Sequence, residues 1–272
     1  MASTDPSSLL STTSPSLLAD LTAGALADAA RRRETLSYAH LETAALEQAP
    51  ALDALSALAP SSQVKVIAEV KRASPSRGDL SEIPDPAALA RVYASHGASA
   101  ISVLTEERKF KGSLDDLRAV RAAVSVPVLR KDFIAEKYQI LEARAAGADI
   151  VLLIVAALEQ ELLSELNDFA LSLGMAVLVE THSRDELLRA TDIGAQLIGV
   201  NARNLSTFEL DRNLFDSLSE DFPSGAIKVA ESAVRTADDV AHYRASGADV
   251  VLVGEALVTS DPARTLFEFL AV

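Results

Sequence analysis

The chain has 272 residues, of which 49% are hydrophobic and 4% aromatic, and carries a formal net charge of -14 at pH 7. A surface this acidic excludes nucleic acid as the main partner, because a polyanion needs a basic face. The absence of Cys excludes disulfides, thiolate metal sites and a catalytic thiol, and His40, His96, His182 and His242 lack the i, i+4 spacing of a helical metal site, so neither a metal nor a cofactor is expected.

In chain order, residues 1–16 are rich in Ser, Thr and Pro, lack Lys and Arg, and have no apolar core of signal-peptide length; they read as a disordered arm. Residues 17–49 have a helical pattern and precede the first strand, an extension placed to cap one end of the main fold. Eight short runs rich in Val, Ile and Leu come next: Val64–Val70, Ala100–Leu104, Val126–Arg130, Ile150–Ile154, Ala176–Val179, Leu197–Val200, Ile227–Ala230 and Val250–Val253. A short continuous apolar run is the mark of a strand buried on both faces of a parallel sheet. The longest apolar stretch, Ile150–Leu158, falls well short of the roughly 20 residues that span a bilayer, so no membrane association and a cytoplasmic location are expected.

Helix-length segments separate the runs. Their starts are marked by Asp85-Pro86, Ser113 with Asp116, Ser183 with Glu186, Thr236 with Asp239, and Asp261-Pro262. A Gly-Ala pair precedes every second strand, at Gly97-Ala98, Gly147-Ala148, Gly194-Ala195 and Gly247-Ala248, where glycine can take the left-handed conformation that ends a helix. Eight βα units with tight connections predict an α/β fold, a closed (β/α)8 TIM barrel over residues 17–272 as one domain with an N-terminal helical extension, in preference to an open doubly wound sheet.

Barrel enzymes work at the C-terminal ends of their strands, so the residues closing each run carry the functional information. The first run ends Glu69-Val70-Lys71, the third meets Lys131, the fifth Glu180, the sixth Asn201 with Arg203 beyond, the seventh Glu231-Ser232 and the eighth Gly254. Side chains alternate along a strand, so Glu69 and Lys71 share a side and form a buried ion pair if they face inward. One strand-end charge is as readily a solvated loop residue, but five strands ending this way point to a site. The turns Ser232-Ala233 and Gly254-Glu255 stand where many barrels bind phosphate through backbone N–H groups, although each alone is an ordinary βα turn. The stretch 71–78 is a basic, turn-rich loop that places positive charge over the mouth, whether as plain surface or as a lid.

Specific motifs then come together: Ile67-Ala68-Glu69-Val70-Lys71-Arg72-Ala73-Ser74-Pro75-Ser76, Leu104-Thr105-Glu106-Glu107, Leu129-Arg130-Lys131-Asp132-Phe133, Leu178-Val179-Glu180, Gly199-Val200-Asn201-Ala202-Arg203-Asn204-Leu205 and Val229-Ala230-Glu231-Ser232. On these the chain resembles the indole-3-glycerol phosphate synthases from about Leu17 to Leu270. It departs from them at Ala233, where that family usually has Gly; if the position requires positive φ, Ala there costs about 1–2 kcal/mol.

The resemblance implies a lyase of tryptophan biosynthesis that closes, decarboxylates and dehydrates 1-(2-carboxyphenylamino)-1-deoxyribulose 5-phosphate without a cofactor. It implies Lys131 as the acid at the ketone oxygen, Glu180 as the base, and Lys71, held by Glu69, as a second acid that also meets the substrate carboxylate or phosphate. Asn201 and Ser232 complete the catalytic set. Ser74, Arg203, Leu205 and Glu231 contact substrate, and Phe110 and Phe133 line a slot for the anthranilate ring. Ser232, Ala233, Gly254 and Glu255 hold the phosphate through hydroxyl or backbone N–H groups, with the Glu255 carboxylate turned away. The expected partner is a small anionic substrate, and the chain is expected to be a monomer. Two alternatives remain: an aldolase-type sugar-phosphate barrel with Lys131 as a Schiff base, and a non-catalytic barrel that binds an anionic metabolite. Phosphoribosylanthranilate isomerase, a similar barrel, relies on a Cys that this chain lacks.

Overall fold

A computed structural model of the chain describes residues 16–204 and 209–272. Eight parallel strands, β1 (Lys65–Val70), β2 (Ala100–Leu104), β3 (Val128–Lys131), β4 (Ile150–Ile154), β5 (Ala176–Thr181), β6 (Leu197–Asn201), β7 (Ile227–Glu231) and β8 (Val250–Val253), pair in chain order, and β8 closes on β1 with Lys65 opposite Val250 and Ala68 opposite Val253. The eightfold alternation is thus a TIM barrel. Alternation splits the apolar runs between two cores: Ile67, Leu129, Leu152, Leu178 and Leu252 fill the barrel, while Val66, Val103, Val151, Ile198 and Val251 lie under the outer helices. Each such side chain, fully buried, contributes about 1.5–3 kcal/mol.

The strand ends differ from the apolar runs in an instructive way. β3 opens at Val128 and not at Val126, because Pro127 has no N–H for the ladder and offers only its carbonyl, which accepts from Ile101 N at 2.9 Å. At their other ends β3, β5, β6 and β7 run on through Lys131, Thr181, Asn201 and Glu231. The polar residues are therefore members of the strands, held by the ladder and aimed by its alternation.

Outside the barrel lie α4 (Pro86–Ser95), α5 (Leu114–Ala123), α6 (Lys137–Ala145), α7 (Gln160–Ser172), α8 (Arg184–Asp192), α9 (Leu214–Leu218), α10 (Ala237–Ala245), α11 (Glu255–Val258) and α12 (Pro262–Leu270). The side chains of Asp85, Ser113, Ser183, Thr236 and Asp261 each cap a helix start, as read from sequence, each cap contributing about 1 kcal/mol. Gly97, Gly147, Gly194 and Gly247 sit at φ of 94°, 88°, 70° and 95°, the left-handed helix ends their pairs announced.

The N-terminal extension over 17–49 is helical, as its pattern predicts. It forms α1 (Leu17–Arg33), α2 (Tyr38–Leu46) and a further α3 (Ala54–Leu58) beyond the expected limit. Ser37 starts α2 by accepting from His40 N, and Ser16, assigned to the arm, caps α1. Residues 1–15, the rest of the expected arm, lie outside the described residues. α1 covers the C-terminal mouth, where Leu17 and Leu21 line a cavity. α3 sends Ala54 and Leu58 into the inner barrel core at the other end, next to Leu52, whose N–H donates to Asp149 just ahead of β4 at 2.7 Å. After β1 the basic loop forms a small hairpin, Ala73–Ser74 against Gly78–Asp79. Among the described residues no helix is long and apolar enough to cross a membrane.

Candidate active site

The cavity beneath α1 opens at the C-terminal ends of the strands, and charged residues from β1, β3, β5 and β7 meet in it. On β1, Glu69 Oε1 lies 2.9 Å from Lys71 Nζ, and Glu69 Oε2 accepts from Ser102 Oγ of β2 at 3.2 Å. From β3, Lys131 Nζ donates to Glu231 Oε2 at 3.0 Å and lies 3.4 Å from Glu180 Oε2. Asn201 Nδ2 donates to Glu180 Oε1 at 3.1 Å. Two glycines make room for these charges: a Cβ on Gly199 would collide with Glu231 Oε1, and one on Gly254 would stand 2.9 Å from Lys71 Nζ.

Burial sets the electrostatics. Glu69, Glu180 and Glu231 are 3%, 1% and 1% exposed. Burial alone would raise all three carboxyls. At Glu69 the Lys71 and Lys131 ammoniums outweigh it, and its pKa falls. At Glu180, Lys131 and His182 outweigh it and hold the carboxyl well below the usual carboxylate range. At Glu231 burial wins, reinforced by the Glu180 charge, and the pKa rises. Lys131 would be lowered by burial, but Glu231, Glu180 and Glu69 hold it above its ordinary value. The resting site therefore holds a charged lysine between one firmly ionised carboxylate and one that takes up a proton easily, a division suited to acid–base work.

At the far side of the cavity, Ser232 and Ala233 take φ of 66° and 59° in succession. The departure at Ala233 therefore falls where positive φ is required. Ser232 Oγ donates to Asn201 Oδ1 at 2.8 Å, and the same oxygen accepts Arg203 N at 3.0 Å, which fixes the amide that meets Glu180. Glu255 accepts from Arg77 Nε at 3.0 Å. Its pKa is lowered chiefly by that hydrogen bond, against burial, with the charges of Arg77, Arg235 and Lys71 adding to it. Arg203 is lowered by burial, against the pull of Glu255 and with the repulsion of Arg235 and Arg77. An acidic chain thus gathers cationic groups at one end of its cavity, as an anionic ligand requires.

The opposite wall is apolar. The Phe110 and Phe133 rings stand 6.1 Å apart at 43°, alongside Leu17, Leu21 and Leu104. Phe110 is presented by a turn built on Glu106, whose carboxylate accepts the N–H groups of Arg108, Lys109 and Phe110 at 3.0, 2.7 and 2.9 Å. Arg108 in turn donates twice at 2.9 Å to Asp28 of α1, tying that turn to the helix over the mouth. Behind Lys131, fully buried Arg130 donates to Thr105, Gln139 O, Asp132 and Glu142 at 3.0, 2.6, 2.9 and 3.2 Å, anchoring β3 from its outer side.

With this geometry in place, the family model described as indole-3-glycerol phosphate synthase matches residues 18–269. The chain belongs to the indole-3-glycerol phosphate synthase family. The protein of that name from Leifsonia xyli subsp. xyli (strain CTCB07) is 72% identical over 256 residues, covering 94% of this chain and 98% of the relative. The one from Rhodococcus jostii (strain RHA1) is 57% identical, over 89% and 90%. Among solved structures, 3-hexulose-6-phosphate synthase from Salmonella typhimurium superposes with a TM-score of 0.63 at 16% identity, over 76% of this chain and 97% of that one, a likeness of fold alone. Membership makes the chain a carboxy-lyase of tryptophan biosynthesis.

Every described residue assigned to the site from sequence lines this one cavity: Glu69, Lys71, Ser74, Phe110, Lys131, Phe133, Glu180, Asn201, Arg203, Glu231, Ser232, Ala233, Gly254 and Glu255. Leu205 lies outside the described residues. Several contributors carry no site signal in the sequence. There Leu17 and Leu21 belong only to a cap, Arg235 to a helix approach, Ser102 to a buried strand and Glu106 to a motif. His182 does carry a usable signal, since it comes two residues after Glu180, the spacing that pairs Glu69 with Lys71.

Proposed function

We propose that the chain, as one domain over residues 17–272, converts 1-(2-carboxyphenylamino)-1-deoxyribulose 5-phosphate to indole-3-glycerol phosphate with Lys131 as acid and Glu180 as base. The substrate's phosphate lies by the Ser232-Ala233 and Gly254-Glu255 turns, and its ring lies against Phe110 and Phe133. The ring carbon bearing the carboxylate attacks the ketone carbon, and Lys131 donates a proton to the ketone oxygen as charge develops there. Loss of carbon dioxide restores the aromatic ring. The former ketone oxygen then leaves as water, protonated by Lys71, while Glu180 removes the proton that completes the indole double bond.

The observation that carries this reading is the placement of Lys131 Nζ 3.0 Å from Glu231 and 3.4 Å from Glu180, between an apolar wall and a cationic end. The same carboxylates favour the ammonium over the free amine that a Schiff base needs, which weighs against the aldolase alternative. Arg203 and Asn201 orient polar groups of the substrate, and Ser74 contacts it from the β1 hairpin. Each of these side chains comes from a single chain, so a monomer suffices; a cytoplasmic location belongs to the same reading.

Lys131→Met and Glu180→Gln test it, with product followed by its indole fluorescence. Each variant is expected to lose about 100-fold or more in kcat. Near-normal turnover in either removes that residue from its role.

A further inference from the structure

The alternation that aims Glu180 into the barrel turns Thr181 outward, where its hydroxyl donates to Gly199 O at 2.9 Å, and brings His182 back beside Glu180. The His182 side chain is 10% exposed. Its Nδ1 stands 3.2 Å from Glu186 Oε2, and that oxygen also accepts the backbone N–H of His182 at 2.8 Å. Glu186 is fixed in turn at the start of α8, where its own N–H donates to Ser183 Oγ at 3.2 Å. With one ring nitrogen so anchored, Nε2 is buried and lies 3.4 Å from Glu180 Oε1, off the line of a hydrogen bond and without another partner. A buried donor left unmatched is unfavourable, which makes the Glu180 carboxylate the group it is set to meet.

We propose that His182 is a positioning residue: braced by Glu186, it bears on one oxygen of Glu180 and leaves the other facing Lys131 and the substrate. Asn201 Nδ2, at 3.1 Å from the same Oε1, supports the carboxylate from β6. The other groups facing Glu180 are Lys131 from β3 and Glu231 from β7, of opposite charge effect. Burial would lower the imidazole, but its two carboxylate neighbours push it up to about 10, so it carries a positive charge across the neutral range. Removing that charge lets the Glu180 pKa rise and frees the carboxylate to turn.

The inference rests on Glu180 being the base, and the test separates the two. His182→Phe keeps the bulk and removes both nitrogens; His182→Gln keeps a neutral donor; Glu186→Gln removes the brace. Thermal melting establishes the folded fraction, to which kcat and KM are referred. His182→Phe is expected to lower kcat about tenfold or more with KM within about twofold. His182→Gln recovers part of kcat, and Glu186→Gln lowers kcat in the same way by less. An unchanged kcat in folded His182→Phe, or a loss that His182→Gln does not partly recover, overturns the proposal. If His182→Phe does not fold, an unchanged kcat in both His182→Gln and Glu186→Gln overturns it. Near-normal turnover of Glu180→Gln would remove the underlying base assignment; an inactive Glu180→Gln beside normal His182 variants would remove the positioning role alone.

Discussion

Ser232 and Ala233 take left-handed φ side by side, and a residue with a Cβ is strained there by about 1–2 kcal/mol. The turn holds because Ser232 is tied to Asn201 and Ala233 is packed, 8% exposed, among the outer core. Ala233→Gly relieves the strain at the cost of a freer unfolded chain, and a net gain of about 1 kcal/mol in unfolding free energy is expected. Denaturant melts decide it; a loss of stability would mean that packing of the Ala methyl outweighs backbone strain. Residue-level signals were legible only where the rule is local. Strand alternation foretold that Glu69 and Lys71 share a side, and the same rule fits Glu180 and His182. The contact of Lys131 with Glu231 was not legible, because 100 positions separate them and only barrel closure faces β3 toward β7.

Elements were read most securely where capping chemistry is written in side chains, as at Asp85, Ser113, Ser183, Thr236 and Asp261. α3 escaped because five residues give too little periodicity, and its Asp53 cap had no pattern behind it to confirm. The strand that presents Lys131 depends on a charge no periodicity reveals: Arg130, closing an apolar run, is 0% exposed and paired with Asp132 and Glu142. Arg130→Met leaves those carboxylates short of their buried partner, and a cost of about 3–5 kcal/mol in unfolding free energy is expected. A cost below about 1 kcal/mol in a urea titration would show that Arg32, which donates to Glu142 at 2.5 Å, satisfies that carboxylate without Arg130.

For the whole molecule, the barrel was legible because its eight units repeat one physical statement, an apolar run buried on both faces and then a capped helix. That repeat also says where chemistry belongs, since all eight strands point their C-terminal ends to one rim. Charge obeys the same plan: a chain with a net charge of -14 brings Lys71, Lys131, Arg203 and Arg235 to a single cavity. Sequence could not supply the lid over that rim, because the docking of α1 depends on pairs such as Asp28 with Arg108 that are 80 positions apart. The proposed function puts the phosphate at the β7 and β8 turns and the ring against the phenylalanines, with Lys131 at the reacting carbon between them. A crystal structure with indole-3-glycerol phosphate bound decides that placement. It should place the phosphate against the backbone of Ser232-Ala233 and Gly254-Glu255, the indole beside Phe110 and Phe133, and Lys131 Nζ at the ring edge. A ligand bound with its phosphate at the phenylalanines, or at the α3 end of the barrel, would contradict it.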